Sequence, residues 1–323
     1  MKLKVAIVGY GNLGKALESI LQNSQNYKLE KIFSRRINLY SPYKTPFEKL
    51  ENIHKYKGKI DILLVSLGSY SDIDKYGLDL AKDFCTIDSF DTHAKLKNHI
   101  FALDKIAKQN KKVCLCAFGW DPGLMSLIRT IFDSIDDKTP SNCFWGKGVS
   151  QGHSDAIRRV NGVENAIQYT IPKQDILSKS RKAFDYSPTN EQKHDRLCYV
   201  ALTPSGDKNI VEQTIKSMPN YFDKYNTKIN FVDDKQVKKL QRNLSHKGYI
   251  FKNFKINKTY STKMSFSLSL QSNPFFTAKI MLMGVNVVAN LLSTQSYGAY
   301  SMLDVPVRLF LSKNRQEVIE NKL

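Results

Sequence analysis

Short apolar runs rich in strand-forming residues punctuate the N-terminal third of the chain, at residues 5–8, 29–33, 61–66, 84–88 and 113–118. Runs that stay apolar at consecutive positions suit strands buried on both faces, as in a parallel sheet. Between them the period changes. Leu13, Ala16, Leu17, Ile20 and Leu21 recur at three- and four-residue spacing, and so do Leu96, Ile100, Leu103 and Ala107. Each set marks one face of a helix. Strand alternating with helix predicts an α/β fold, a Rossmann-like doubly wound parallel sheet, over residues 1–118. Beyond it, residues 226–232 and 263–270 alternate polar with apolar. These predict half-buried antiparallel strands in a second, α+β domain spanning 119–271. Residues 275–292 are long and apolar, just after Pro274. They predict a buried helix that packs back on the first domain, so that about 272–323 completes it.

The first run leads into Gly9-Tyr10-Gly11-Asn12-Leu13-Gly14 and then into the first helix pattern. That is the strand-to-helix context a dinucleotide fingerprint requires. Gly9 permits the tight turn, Gly11 admits a pyrophosphate close to backbone, and Gly14 lets helix and strand pack closely. The phosphate then meets the N–H groups and dipole of the helix N-terminus. The second run ends in Ser34-Arg35-Arg36, with no acid at the strand tip. A carboxylate there would bind a ribose hydroxyl and repel a 2′-phosphate, whereas guanidiniums bind phosphate in a charge-assisted fork. The tip therefore favours NADP over NAD. Ligands in such sheets lie beyond the carboxyl ends of the strands. Polar residues follow three of the runs, at 66–69 (with Ser66, Gly68 and Ser69), at 88–91 and at Trp120-Asp121.

Composition narrows the classes. The hydrophobic share of 41% and aromatic share of 11% argue for a folded globular chain. The net charge of +19 raises nucleic-acid binding, but the lysines are spread along the chain with no basic tail and no paired Cys/His finger. The expectation is no nucleic-acid partner. The apolar start of 5–8 is too short for a signal segment, and no run reaches the roughly 18 apolar residues of a membrane span. A cytoplasmic protein is expected. Five cysteines without a Cys-x-x-Cys pair suit packing in a reducing compartment. No His/Asp/Glu spacing suggests a metal, and Ser66 and Ser69 lack the context of a hydrolase nucleophile. His54, His93, His99 and His194 read as surface or internally satisfied rings, and His153 as part of a loop.

Further stretches carry a resemblance: VAIVGYGNLG at 5–14, IFSRR at 32–36, GWDPG at 119–123, FWGKGVSQGHSDAIRR at 144–159, QYTIP at 168–172, MPNYF at 218–222 and NPFFTA at 273–278. Together they resemble the meso-diaminopimelate dehydrogenase family. The block from Trp145 to Asp155 is far more specific than the glycine fingerprint. The resemblance implies NADP-dependent oxidation of the D-centre of meso-diaminopimelate to L-2-amino-6-oxopimelate and ammonia, reversibly, in lysine and cell-wall precursor synthesis. It also implies a homodimer.

Carried over residue by residue, the resemblance implies Asp91 and Asp121 as binding acids at the reacting end. Trp120, Trp145, Ser150, Gln151 and Gly152 line that pocket. Thr170, Arg196, His246 and Asn273 serve the distal L-centre. One departure is His246-Lys247-Gly248, where the family has two glycines after the histidine. The chemistry agrees. Two ammonium groups call for acids and a carboxylate calls for a planar guanidinium. Fixed contacts at both ends separate D from L. Hydride loss needs a neutral amine, so some group or a water must take the ammonium proton, and Asp121 is a candidate. A cleft between domains that closes on substrate is a further expectation. Two alternatives stay open: an NADP-dependent D-amino-acid dehydrogenase with a relaxed distal site, and a non-catalytic NADP sensor.

Overall fold

A computed structural model describes residues 2–36, 38–68 and 72–323, without the side chain of Asp74. Ser69 lies outside the described residues. The chain divides into two compact units, residues 1–126 with 274–323, and residues 127–273.

In the first unit, β1 (Leu3–Val8), β2 (Tyr27–Ser34), β3 (Phe47–Lys49), β4 (Ile62–Val65), β5 (Cys85–Asp88) and β6 (Val113–Leu115) form one sheet with a C-terminal strand, Gly298–Tyr300. The order is Gly298–Tyr300, β6, β5, β4, β1, β2, β3, and every pairing is parallel. The consecutive apolar runs are split between the two faces. Val5, Ile7, Ile62 and Leu64 enter one core with Leu17, Met281 and Val285. Ala6, Val8, Leu63 and Val65 enter another with Ile73, Leu80 and Phe90. This is the burial on both sides that the unbroken apolar pattern requires. Cys114 and Cys116 share a small buried cluster with Leu103 and Ala107, and all five cysteines are free and buried.

Helix Asn273–Ser293 passes the length and composition test for a membrane span, which the pattern of single runs had not suggested. Half of its most apolar window is buried. Ala278, Met281, Val285 and Val288 pack into the sheet core with Leu115 and Phe118. This is the core helix expected from residues 275–292.

The chain leaves the sheet after β6 through Ala117 and Phe118. Phe118 N–H donates to Asp88 O at 2.7 Å, Leu124 N–H to Gly119 O and Met125 N–H to Trp120 O. These bonds keep residues 119–126 with the sheet. The compact units accordingly divide after Ser126.

The second unit holds two sheets. The first runs β11 (Thr227–Phe231), β10 (His194–Leu202), β9 (Val163–Pro172), β8 (Gly148–Val149). The second runs β13 (Ser261–Leu270), β12 (His246–Lys255), β7 (Asn142–Trp145). β13 pairs antiparallel with β12, as expected for residues 263–270. β11 does not follow the expectation and lies parallel to β10. Alternation reports a half-buried edge and carries no information about strand direction.

Candidate functional site

In the first unit the strand order reverses between β1 and β4, which is the position where such sheets take their ligands. Gly9 turns the chain there with φ +99°, and a Cβ on Gly14 would stand 2.3 Å from Gly9 O. A Cβ on Gly11 would meet nothing within 4 Å. Gly11 thus faces open space at the N-terminus of helix Asn12–Leu21, as an approaching pyrophosphate needs. Tyr10 is buried; its hydroxyl donates to Glu18 and its ring packs edge-on to Phe47. Burial, then the Glu18 carboxylate, raise its pKa. Asn12 is exposed and Leu13 half-buried. Ser66 spends its hydroxyl on the turn, donating to Gly9 O at 2.9 Å. Gly68 O accepts from the backbone of Asp72.

The phosphate-selecting tip is also built here. Ser34 Oγ accepts from Arg36 N–H at 3.1 Å, and the Arg36 guanidinium donates to Tyr10 O. Arg35 forks onto Asp72 at 3.0 and 2.6 Å. The strand tip lacks an acid in sequence, but the fold supplies one from the next helix. The open cradle at Gly11 and two guanidiniums beside the turn fit NADP. Asp91 and Asp121 are half-buried, just past the ends of β5 and β6. Thr92, not Asp91, occupies the N-cap of helix His93–Gln109. Trp120 is buried.

In the second unit, Arg196 and Thr170 are direct partners across the antiparallel β9–β10 pair. Arg196 Nη1 donates to Thr170 Oγ1 at 2.6 Å, and the guanidinium lies 4.0 Å from the Tyr225 ring centroid. Arg196 is 7% exposed, its Nε has no partner, and no carboxylate pairs with it among the described residues. Burial drives its pKa down. Gly148 pairs with Thr170 in β8. A Cβ there would fall 2.3 Å from the His246 ring, so only glycine allows His246 to lie against this strand. The His246 Nδ1 donates to Lys247 O at 2.8 Å, and burial lowers its pKa to about 4. The ring is neutral at pH 7, with Nε2 as its acceptor. Lys247 itself is exposed, so the departure from Gly-Gly leaves His246 buried and in place.

Ser150 caps helix Gln151–Arg158 by accepting from His153 N–H, and its hydroxyl also meets His153 Nδ1 at 2.7 Å. Gln151 and Gly152 open that helix, where first-turn N–H groups attract an anion. Asn273 is buried; its Nδ2 reaches Val149 O at 3.5 Å. Among the predicted substrate residues, Trp145, Ser150, Gln151, Gly152, Thr170, Arg196, His246 and Asn273 belong to this unit, and Asp91, Trp120 and Asp121 to the first.

Residues 119–272 match the family described as the diaminopimelic acid dehydrogenase C-terminal domain. The chain is 36% identical to the meso-diaminopimelate D-dehydrogenase of Ureibacillus thermosphaericus over 319 residues, 98% of each chain. The chain belongs to the meso-diaminopimelate D-dehydrogenase family. Its structure superposes on Corynebacterium glutamicum DAP dehydrogenase in complex with DAP with a TM-score of 0.93, at 32% identity, covering 100% and 99% of the two chains. It also superposes on an engineered D-amino acid dehydrogenase bound to NADP+ with a TM-score of 0.95, at 30% identity, covering both chains fully.

Two supporting side chains had no role assigned from the sequence. Gln168 is fully buried, with Nε2 3.4 Å from Thr170 Oγ1 and its Oε1 without a partner. His194 is also fully buried; its Nε2 accepts Trp145 N–H at 2.9 Å. Burial pushes its pKa down to about 3, so it is a neutral acceptor. The available signal was strand period: each lies two residues before a site residue, on the same face. The absence of metal-like spacing also missed one group. Asp88, His99 and Cys116 bring donor atoms within 4.8 Å of one another from distant positions.

Proposed function

We propose that this chain oxidises the D-centre of meso-2,6-diaminopimelate with NADP+, releasing L-2-amino-6-oxopimelate and ammonia, and catalyses the reverse reductive amination. Arg196 carries the reading. A buried guanidinium without a counterion is costly unless an anion completes it. Thr170 Oγ1 receives N–H groups from Arg196 and Gln168, so its own proton is left to donate. Arg196 and Thr170 together suit a carboxylate. Neutral His246, an acceptor at Nε2, suits the ammonium of the same L-centre, and the Asn273 amide adds a polar contact. A simple D-amino acid has no second centre to use these groups, and a non-catalytic sensor needs none of them.

At the reacting end, Asp91 and Asp121 take the ammonium. Ser150, Gln151 and Gly152 offer a helix N-terminus that suits a carboxylate, and the resemblance assigns Trp120 and Trp145 to the substrate pocket. NADP+, when bound, accepts the hydride. Gly9, Tyr10, Gly11, Asn12, Leu13 and Gly14 hold its pyrophosphate, with Ser66 and Gly68 beside them. Ser34, Arg35 and Arg36 hold its 2′-phosphate. Asp121 is assigned the proton of the ammonium, which leaves a neutral amine. The C–H electron pair then departs, a C=N bond forms, and water adds as ammonia leaves. The resemblance supports a homodimer working in the cytoplasm. Substrate deuterated at the D-centre should yield deuterated NADPH, and label at the L-centre should stay in the product. Transfer from the L-centre would overturn the assignment.

A further inference from the structure

Asp88 and His99 are absorbed by neither half of the site. Asp88 is the last residue of β5 and is 3% exposed. Its Oδ1 accepts Phe90 N–H at 3.0 Å and Ala117 N–H at 2.9 Å, and its main-chain O accepts Phe118 N–H at 2.7 Å. Its Oδ2 meets His99 Nε2 at 2.9 Å. Since that oxygen can only accept from an N–H, the Nε2 carries the proton. His99 is 7% exposed, and its ring stacks on Phe90 with centroids 4.5 Å apart. Both carboxylate oxygens already take protein N–H groups, so the Asp88, His99 and Cys116 group works as a clasp rather than a ligand set.

What the clasp holds is specific. Phe90 immediately precedes Asp91, and Ala117 and Phe118 lead into Trp120 and Asp121. Ala117 has φ +53°, a left-handed conformation unfavourable for a residue with a Cβ. The bond from its N–H to a buried carboxylate offsets that cost. One side chain thus sets the exits of two neighbouring strands, and each exit carries one acid.

We infer that Asp88 and His99 are positioning residues that fix Asp91 and Asp121 for the reacting ammonium. The inference rests on the proposed reaction. The clasp does not bond the Gly9–Gly14 turn or Arg36, so its loss should leave the nucleotide site intact while loosening both acids.

The test uses the full-length enzyme and compares wild type with His99→Leu, His99→Gln and Asp88→Asn. His99→Leu should raise KM for meso-diaminopimelate at least tenfold and lower kcat, with the Kd for NADP+ unchanged within about twofold. His99→Gln, which keeps an N–H donor, should recover most of the loss. Asp88→Asn keeps an acceptor for Phe90 and Ala117, and His99 can switch tautomer to meet the new amide, so this variant should stay close to wild type even if His99→Leu does not fold. An unchanged KM in His99→Leu, or an NADP+ Kd that weakens in parallel, would overturn the inference. So would an Asp88→Asn variant as impaired as His99→Leu. Wild type inactive on meso-diaminopimelate would instead remove the proposed reaction, and the inference with it.

Discussion

Arg196 and Thr170 face each other across β9 and β10, joined by a 2.6 Å hydrogen bond, and the guanidinium is buried without a carboxylate partner among the described residues. The pair is half of an interaction that a substrate carboxylate would complete.

Removing that charge should separate stability from activity. Arg196→Met should lower kcat/KM for meso-diaminopimelate by about 100-fold or more, the cost of losing a buried charge-assisted contact. The unliganded variant should be as stable as wild type or gain about 2 °C in Tm, because replacing a buried charge by an apolar chain is often stabilising. Steady-state kinetics and thermal melts check both. Loss of Tm alongside unchanged kcat/KM would contradict the assignment.

Cofactor choice should respond to the Arg35–Asp72 fork. A 2′-phosphate held by Arg35 would compete with Asp72, so Asp72→Asn should tighten NADP+ by about three- to tenfold and leave NAD+ nearly unchanged. Arg36→Asp should weaken NADP+ far more than NAD+. Titration of both nucleotides decides it, and equal effects on the two would refute the phosphate assignment.

His194 and His246 tie stability to pH. Burial lowers their pKa values to about 3 and about 4, against about 6.5 in an unfolded chain. The unfolded state binds the extra protons. The stabilisation is therefore complete above about pH 6.5 and is lost as pH falls toward the folded values. Two rings together give a slope of up to about 2.7 kcal/mol per pH unit inside that window. His194→Gln should roughly halve the acid-side slope in melts recorded between neutral and mildly acidic pH. An unchanged slope would show that other groups dominate.

Gly148 should be intolerant of any side chain. The added Cβ of Gly148→Ala would sit 2.3 Å from the His246 ring, so β8 or β12 must shift. Destabilisation of about 1–3 kcal/mol and a raised KM for meso-diaminopimelate are expected, with NADP+ binding intact. A variant with wild-type Tm and KM would show that the ring moves freely.

The parallel sheet was legible because Val5 to Val8 and Ile62 to Val65 are apolar at every position, which only burial on both faces explains. The helix at 273–293 was legible from length and composition. The direction of β11 was not, since the alternation of Thr227 to Phe231 is the same in either orientation. Within the site, Gly9, Gly11 and Gly14 were readable from local spacing. Arg35–Asp72, Trp145–His194 and Asp88–His99 were not, because each pair joins residues that only the fold brings together. Arg196 was identified by resemblance, and its burial without a carboxylate partner among the described residues is seen only in three dimensions.

The most direct measurement is NADPH formation by the purified enzyme with NADP+ and, separately, meso-, LL- and DD-diaminopimelate and D-alanine. The account predicts rapid reduction with the meso isomer. The LL isomer offers no D-centre, and the DD isomer and D-alanine lack an L-centre for Arg196, Thr170 and His246, so these should be slower by orders of magnitude. Comparable rates with D-alanine, or no reaction with the meso isomer, would contradict the two-ended site.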